Sequence, residues 1–217
     1  MLLTKRDKIK LILNGDNYCV QNNALCFLPG DRIPRQTASG DLLGRVQDRL
    51  KITGKLYRRL LVIFRPLCSS IVYRREIQNC LKNLTNQDIV INLGSGPYDF
   101  KGRTDFINVD LFAFDNVDIV ADASNIPFKT DSVDFVINIA MLEHVKKPWI
   151  IIEEMRRILK PGGRILAFVP FMQPYHAAPF DFYRWNQQGL RELFSSFNET
   201  KVFVACGPTS GMLWILE

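Results

Sequence analysis

Histidine is scarce in this chain: His144 and His176 are the only two in 217 residues, and no two of the five cysteines form a Cys-x-x-Cys pair. Structural zinc sites draw on closely spaced cysteine and histidine pairs, so no metal ligand set is expected. An odd cysteine count argues against a disulfide framework, which points to reduced thiols in a cytoplasmic chain. Long apolar runs are missing too. Residues 60–64 (Leu-Leu-Val-Ile-Phe) form one of the longest, far short of the roughly 20 residues that span a bilayer. Residues 1–10 mix apolar and basic side chains without the apolar core of an export signal. With 47% hydrophobic and 23% charged residues, the composition is that of a globular protein.

Charge is unevenly spread. Residues 1–80 hold 15 Lys and Arg against 6 Asp and Glu, and residues 81–217 hold 13 against 16, so the overall +6 belongs to the front third. That division predicts a small module over residues 1–40, a basic helical lid or linker over 41–84, and a larger domain over 85–217. Residues 9–34 read as small strands or turns around Asn14-Gly15 and Pro29-Gly30. Residues 41–83 place Arg58, Arg59, Arg65, Arg74 and Arg75 among Leu60, Leu61, Ile63, Phe64, Leu67, Ile71 and Val72.

The larger part alternates two periodicities. Short apolar runs at 88–93, 106–111, 118–121, 133–139, 164–169 and 200–206 read as strands. Residues 148–159 carry Ile151, Ile152, Met155, Ile158 and Leu159 at helical spacing behind Pro148, and Lys160-Pro161-Gly162-Gly163 is expected to stop that helix. Residues 186–197 read as another amphipathic helix. Continuously apolar strands between helices predict a Rossmann-like α/β fold, a mostly parallel sheet covered on both faces, with a small basic N-terminal extension.

Chemistry concentrates where these strands end. Gly94-Ser95-Gly96 follows the first strand, and glycines there let a ligand approach the backbone. Position 99 is Asp, so the third glycine of the dinucleotide fingerprint is missing. Asp110 stands sixteen residues beyond Gly94 at the end of the second strand. It is either a ribose-binding carboxylate or a turn acid. Asp122 either meets an adenine amino group or caps the next turn. Ligands of open parallel sheets bind beyond the carboxyl ends of the strands, so Gly94, Asp110, Asp122 and Ala140 should converge on one crevice.

The ordered series Val90-Ile91-Asn92-Leu93-Gly94-Ser95-Gly96, Asn108-Val109-Asp110, Ala121-Asp122-Ala123, Ser132-Val133-Asp134-Phe135-Val136, Leu142-Glu143-His144-Val145 and Leu159-Lys160-Pro161-Gly162-Gly163 resembles class I S-adenosylmethionine-dependent methyltransferases of the type 11 group over about residues 86–206. The resemblance implies a seven-strand sheet, S-adenosylmethionine as cofactor and S-adenosylhomocysteine as product. It implies cofactor contacts from Asn92, Gly94, Ser95, Gly96, Asp110, Leu111, Asp122, Ala123 and Ala140. Gly94 and Gly96 would face the methionine part, Asp110 the ribose, and Asp122 with its neighbours the adenine. Asn92 stands where many members carry an acid. The first helix must be very short before Phe106, and the closing antiparallel strand is expected to be absent before Glu217.

A second block, residues 170–185, looks like the segment that a subset of these enzymes places over the substrate, which loosely implies a small-molecule, glycan-linked or lipid-linked acceptor. Tyr175, Asp181, Tyr183 and Arg184 are the expected acceptor contacts. The alternative is that Asp181 and Arg184 form a structural ion pair while the aromatic residues pack. A hydroxyl acceptor needs a base, and histidine titrates near neutral pH, so His176 and then His144 are the candidates. Residues 9–34 resemble the closing half of a small zinc-ribbon module found fused to such methyltransferases or separate as their activator. Its paired metal cysteines are missing here, so the module should be metal-free. The basic helices are a lid, a membrane-surface contact or a solvated face. An RNA methyltransferase and a catalytically silent cofactor-binding module are the rivals; nucleic acid is not expected, because no basic motif is interleaved with aromatics.

Overall fold

A computed structural model of the chain describes residues 3–29, 71–97, 99–100, 103–173, 175–176 and 180–205. The sequence expectations for residues 30–70 and for 206–217 lie outside these. Helix α1 (Lys5–Ile12) starts at a capping box in which Thr4 and Asp7 satisfy each other's backbone amides. A hairpin follows, β1 (Cys19–Gln21) and β2 (Ala24–Cys26), turning on Asn22 and Asn23. Both asparagines adopt positive φ, 47° and 65°, as a two-residue turn of type I′ requires. Next come α2 (Ile71–Lys82), β3 (Val90–Leu93), β4 (Ile107–Asp110), β5 (Ile119–Val120), β6 (Val133–Ile139), α3 (Pro148–Ile158), β7 (Leu159–Phe168) and α4 (Gln187–Leu193).

The strands form one seven-stranded sheet in the order β1-β2-β5-β4-β3-β6-β7, parallel throughout except for the β1–β2 hairpin. Side-chain alternation divides the core between its two faces. Ile91, Leu93, Ile107, Val109 and Val136 meet Ile9 and Ile12 of α1 and Ile151, Ile152, Met155 and Ile158 of α3. Val90, Phe106, Phe135, Ile137 and Leu166 meet Ile77 of α2 on the opposite face. The N-terminal segment is tied to this body beyond the hairpin. Buried Lys8 donates from Nζ to the Asp88 carbonyl at 2.7 Å, and Lys5 pairs with Asp118 at 2.6 Å.

The structure corrects three sequence expectations. Residues 5–12 form a helix, because the capping box supplies the start signal, so the span from residue 9 is not all strand and turn. α3 stops at Ile158, just ahead of Lys160-Pro161-Gly162-Gly163 as expected, but β7 begins at Leu159 and not at 164. Leu159 pairs with Val133 and Arg164 with Phe135, and the four residues between them form an irregularity held by Lys160 on the Asp134 carboxylate at 2.8 Å. Residues 200–205 form no strand; their apolar residues are mostly half-exposed, although Phe203 packs on the core beneath α2. Between β3 and β4 no α-helix occurs among the described residues. No helix among the described residues is long and apolar enough to cross a membrane.

Candidate active site

The β3–β4 side of the crevice is built on backbone geometry. β3 ends in Gly94 and Gly96, both left-handed, with φ of 71° and 57°. A side chain at Gly94 would strike Met141, with Sδ only 2.5 Å from the Cβ position, whereas the Cβ position at Gly96 opens onto free space. The Asp110 carboxylate joins the two loops by accepting the Gly96 N–H at 2.8 Å and the Phe112 N–H at 2.9 Å. Burial pushes Asp110 above the usual carboxylate range, against the pull of those amides. Each oxygen keeps lone-pair capacity for another donor. Ser95 is half-buried beside them, and Leu111 stands exposed at the lip.

β6 ends in Ala140, a non-glycine residue at φ 50° whose N–H donates to the Phe168 carbonyl. Left-handed backbone in a residue with a side chain is costly and concentrates at functional sites. Ala140 leads into Met141, whose side chain lies against Gly94, and then into a 3-10 turn, Leu142–His144. One short loop thus runs from the glycine turn to the histidines. Asp122 stays exposed and accepts both the N–H and Oγ–H of Ser124, the turn-capping arrangement, with Ala123 half-buried beside it. Asn92 points into the body of the sheet. Its Nδ2 donates to Asn108, which in turn holds Asp99 and the Asn116 carbonyl.

Residues 180–185 lie against the 3-10 turn. Phe182 and Tyr183 donate their N–H groups to the Glu143 carbonyl, and the Tyr183 hydroxyl donates to the Lys146 carbonyl at 2.9 Å. The rings of His144 and His176 meet edge to face with centroids 5.0 Å apart. Nδ1 of His144 lies 2.6 Å from the Phe180 carbonyl, which sets Nδ1 as the donor. The His176 N–H donates to Asp181 Oδ2 at 2.7 Å. Arg184 binds the Asp181 carboxylate with both terminal nitrogens, and its Nη2 lies 3.3 Å from His176 Nδ1. The Arg184 guanidinium holds Asp181 down at about 2, and Asp181 in return raises Arg184. Tyr175 stands 73% exposed among Phe171, Met172, Phe180 and Phe182, which are also exposed.

Residues 104–167 match the model of a family described as the methyltransferase domain. Two curated relatives are named as uncharacterized methyltransferases. That of Mycobacterium tuberculosis strain H37Rv is 39% identical over 51 residues, 23% of this chain and 20% of the relative. That of Mycolicibacterium vanbaalenii is 36% identical over 56 residues, 25% of this chain and 22% of the relative. Residues 104–167 of this chain are thus similar to a methyltransferase domain. The chain spans about a fifth of the length of the curated relatives it matches. Among solved structures, a SAM-dependent methyltransferase from Thermotoga maritima is 20% identical, with 64% of this chain and 74% of that chain covered and a TM-score of 0.47. Phosphoethanolamine N-methyltransferase 2 of Haemonchus contortus, solved with S-adenosyl-L-methionine, is 17% identical, with 57% and 35% covered and a TM-score of 0.46.

Sequence reading missed one residue of this site that the geometry makes conspicuous. Glu143 is completely buried, and neither carboxylate oxygen has a hydrogen-bond partner. Burial drives its proton affinity up, opposed first by its own backbone amide and then by the nearby charges of His176 and Arg184. The motif Leu142-Glu143-His144-Val145 names the position, but nothing in its spacing marks the carboxylate as unsatisfied.

Proposed function

We propose that this chain is an S-adenosylmethionine-dependent methyltransferase acting on a hydroxyl of a small-molecule or glycan- or lipid-linked acceptor. The observation that carries this reading is the Asp110–Gly96 link. It sets a carboxylate with spare lone pairs beside a left-handed glycine that opens onto free space, at the carboxyl ends of two parallel strands. These residues fit the cofactor: Asp110 would hold the ribose hydroxyls, Gly94, Ser95 and Gly96 the methionine part, and Leu111, Asp122 and Ala123 the adenine edge. Bound there, the cofactor supplies a methyl group already activated on a sulfonium. The chain's own residues then position and deprotonate. The strained Ala140–Met141 step brings His144 into the same loop that lines the glycine turn. His176, oriented through its backbone by Asp181, accepts the proton of the acceptor hydroxyl. The exposed aromatic rim at Phe171, Tyr175, Phe180 and Phe182 favours an acceptor with an apolar or sugar face. Free thiols at Cys19, Cys26 and Cys80 suit the cytoplasm.

Calorimetric titration with S-adenosylmethionine and S-adenosylhomocysteine tests the reading. Two hydrogen bonds to a charged carboxylate at about 1.5 kcal/mol each make Asp110→Ala bind roughly 100-fold more weakly. Unchanged affinity in a folded variant, or no binding by the wild type, refutes it.

A further inference from the structure

Glu143, His144 and His176 each turn one ligand atom into a common space, all within 4.8 Å of one another. It is the one such grouping found among the described residues. Three observations make it more than proximity. The Glu143 carboxylate is fully buried with both oxygens unpartnered, a state that a bound cation relieves. His144 is already oriented as metal-bound imidazoles are, because its Nδ1 lies 2.6 Å from the Phe180 carbonyl and its Nε2 is turned toward Glu143 Oε1 at 3.9 Å. Asp181 is already bound by Arg184, whereas among the described residues the Glu143 carboxylate has no side chain in salt-bridge or hydrogen-bond contact closer than His144 Nε2 at 3.9 Å. Asp181 also fixes the place of His176 by accepting its backbone N–H at 2.7 Å.

We propose that Glu143, His144 and His176 bind a divalent transition-metal cation, with Zn²⁺ the best match to two imidazoles and one carboxylate. Three protein ligands are the complement of an open site whose fourth position takes an exogenous oxygen. Ligand atoms about 2.1 Å from a tetrahedral ion stand roughly 3.4 Å apart, so the side chains close in by about 1 Å on loading. That the fourth position receives the acceptor's oxygen rests on the methyltransferase reading, and with the ion bound His176 is a ligand and no longer the base; the binding itself does not rest on that reading. The site departs from the sequence expectation of no metal, which weighed the cysteine and histidine pairs of structural zinc sites and not two separate histidines joined by a carboxylate.

Co²⁺ is the probe, because its spectrum distinguishes nitrogen and oxygen ligands from thiolates. Titrated into the chelator-stripped, cofactor-free chain, it should bind one to one with visible d–d bands and no thiolate charge-transfer band, and Zn²⁺ should displace it. Glu143→Gln and His176→Asn should each weaken binding by about 100-fold or more, and Asp181→Asn by about 10-fold. Thermal unfolding without metal shows whether each variant is folded. A thiolate band, absent stoichiometric binding, or undiminished binding in folded Glu143→Gln overturns the proposal. S-adenosylmethionine titrated into the same stripped protein separates the two readings. Cofactor binding without Co²⁺ binding defeats the metal site alone, and Co²⁺ binding without cofactor binding leaves the metal site standing and defeats the methyltransferase reading.

Discussion

Alanine at Gly94 and alanine at Gly96 should have opposite consequences, although the two glycines are two residues apart in the same turn. Both carry positive φ, 71° and 57°. Each substitution therefore incurs the left-handed penalty, about 1–2 kcal/mol. At Gly96 nothing lies within 4 Å of the new methyl group, so the stability loss ends there. At Gly94 the methyl would meet Met141 Sδ, Cγ and Cβ at 2.5, 2.8 and 2.9 Å. Met141 cannot swing away freely, because the Asn138 amide that donates to the Leu93 carbonyl also reaches its sulfur at 3.4 Å. Overpacking adds about 1–3 kcal/mol, for a total of roughly 2–5 kcal/mol at Gly94.

For a chain of this size, 1 kcal/mol shifts Tm by about 2–4 °C. Gly96→Ala should therefore melt only a few degrees low, and Gly94→Ala roughly 10 °C low, by circular dichroism. Met141→Ala removes two of the three colliding atoms, so the double variant should recover part of the Gly94→Ala loss, a coupling of about 1 kcal/mol in a double-mutant cycle. Binding should rank the other way among folded proteins. Gly96→Ala fills the open side of the turn and should lower S-adenosylmethionine affinity well beyond its effect on stability. Equal Tm losses at the two positions, or a cycle with no coupling, would refute this account of the turn.

Asp181→Asn should lose about 2 kcal/mol at neutral pH, since the carboxyl is held near 2 against an ordinary 3.8 and each unit is worth about 1.4 kcal/mol. A depressed carboxyl stabilises above its unfolded pKa, so the gap to wild type in urea unfolding should narrow as pH falls from 4 toward 2. Glu143→Gln should behave inversely. Burial raises this carboxyl, so the metal-free wild type loses stability as pH climbs from about 4.5 through its raised folded value, and the variant, lacking that slope, should gain on it over that interval and then hold a constant difference. Ile77→Ala should cost about 2–5 kcal/mol, because Ile77 is fully buried against Val90, Phe106 and Phe135; a neutral result would detach α2 from the sheet.

What the sequence showed of this fold depended on how local the physics was. β3, β4, β5, β6 and α3 are legible because their residues are buried by their own periodicity: β6 runs Val133–Ile139 as its apolar run does, and Pro148 opens α3. The hairpin's place in the sheet was not legible. Pairing of Leu25 with Ile119 and Cys26 with Val120 is a contact between residues more than ninety positions apart, and no three-residue strand announces its partner. The start of β7 was not legible for a related reason. The helix ends ahead of Pro161-Gly162-Gly163 as those residues lead one to expect, but Leu159 already pairs with Val133 and Lys160 holds Asp134, so the chain joins β6 before the turn residues.

The site divides along the same line. Residues acting through backbone conformation, Gly94 and Gly96, are visible as residue types, since positive φ selects glycine. Ala140 is not, because its left-handed φ of 50° follows from the β6–Met141 passage and not from alanine. Glu143 is the extreme case. In the sequence it is one acid in a motif beside a histidine, and acids beside histidines are ordinarily solvated. Only folding shows that Phe182 and Tyr183 satisfy its backbone carbonyl and that its buried carboxylate is left without a donor from any other residue. A buried, unpartnered carboxylate is too costly to persist without use. The two histidines that share its space are the only two in the chain. Their scarcity counted against a metal in the sequence, yet the fold brings both to the same carboxylate.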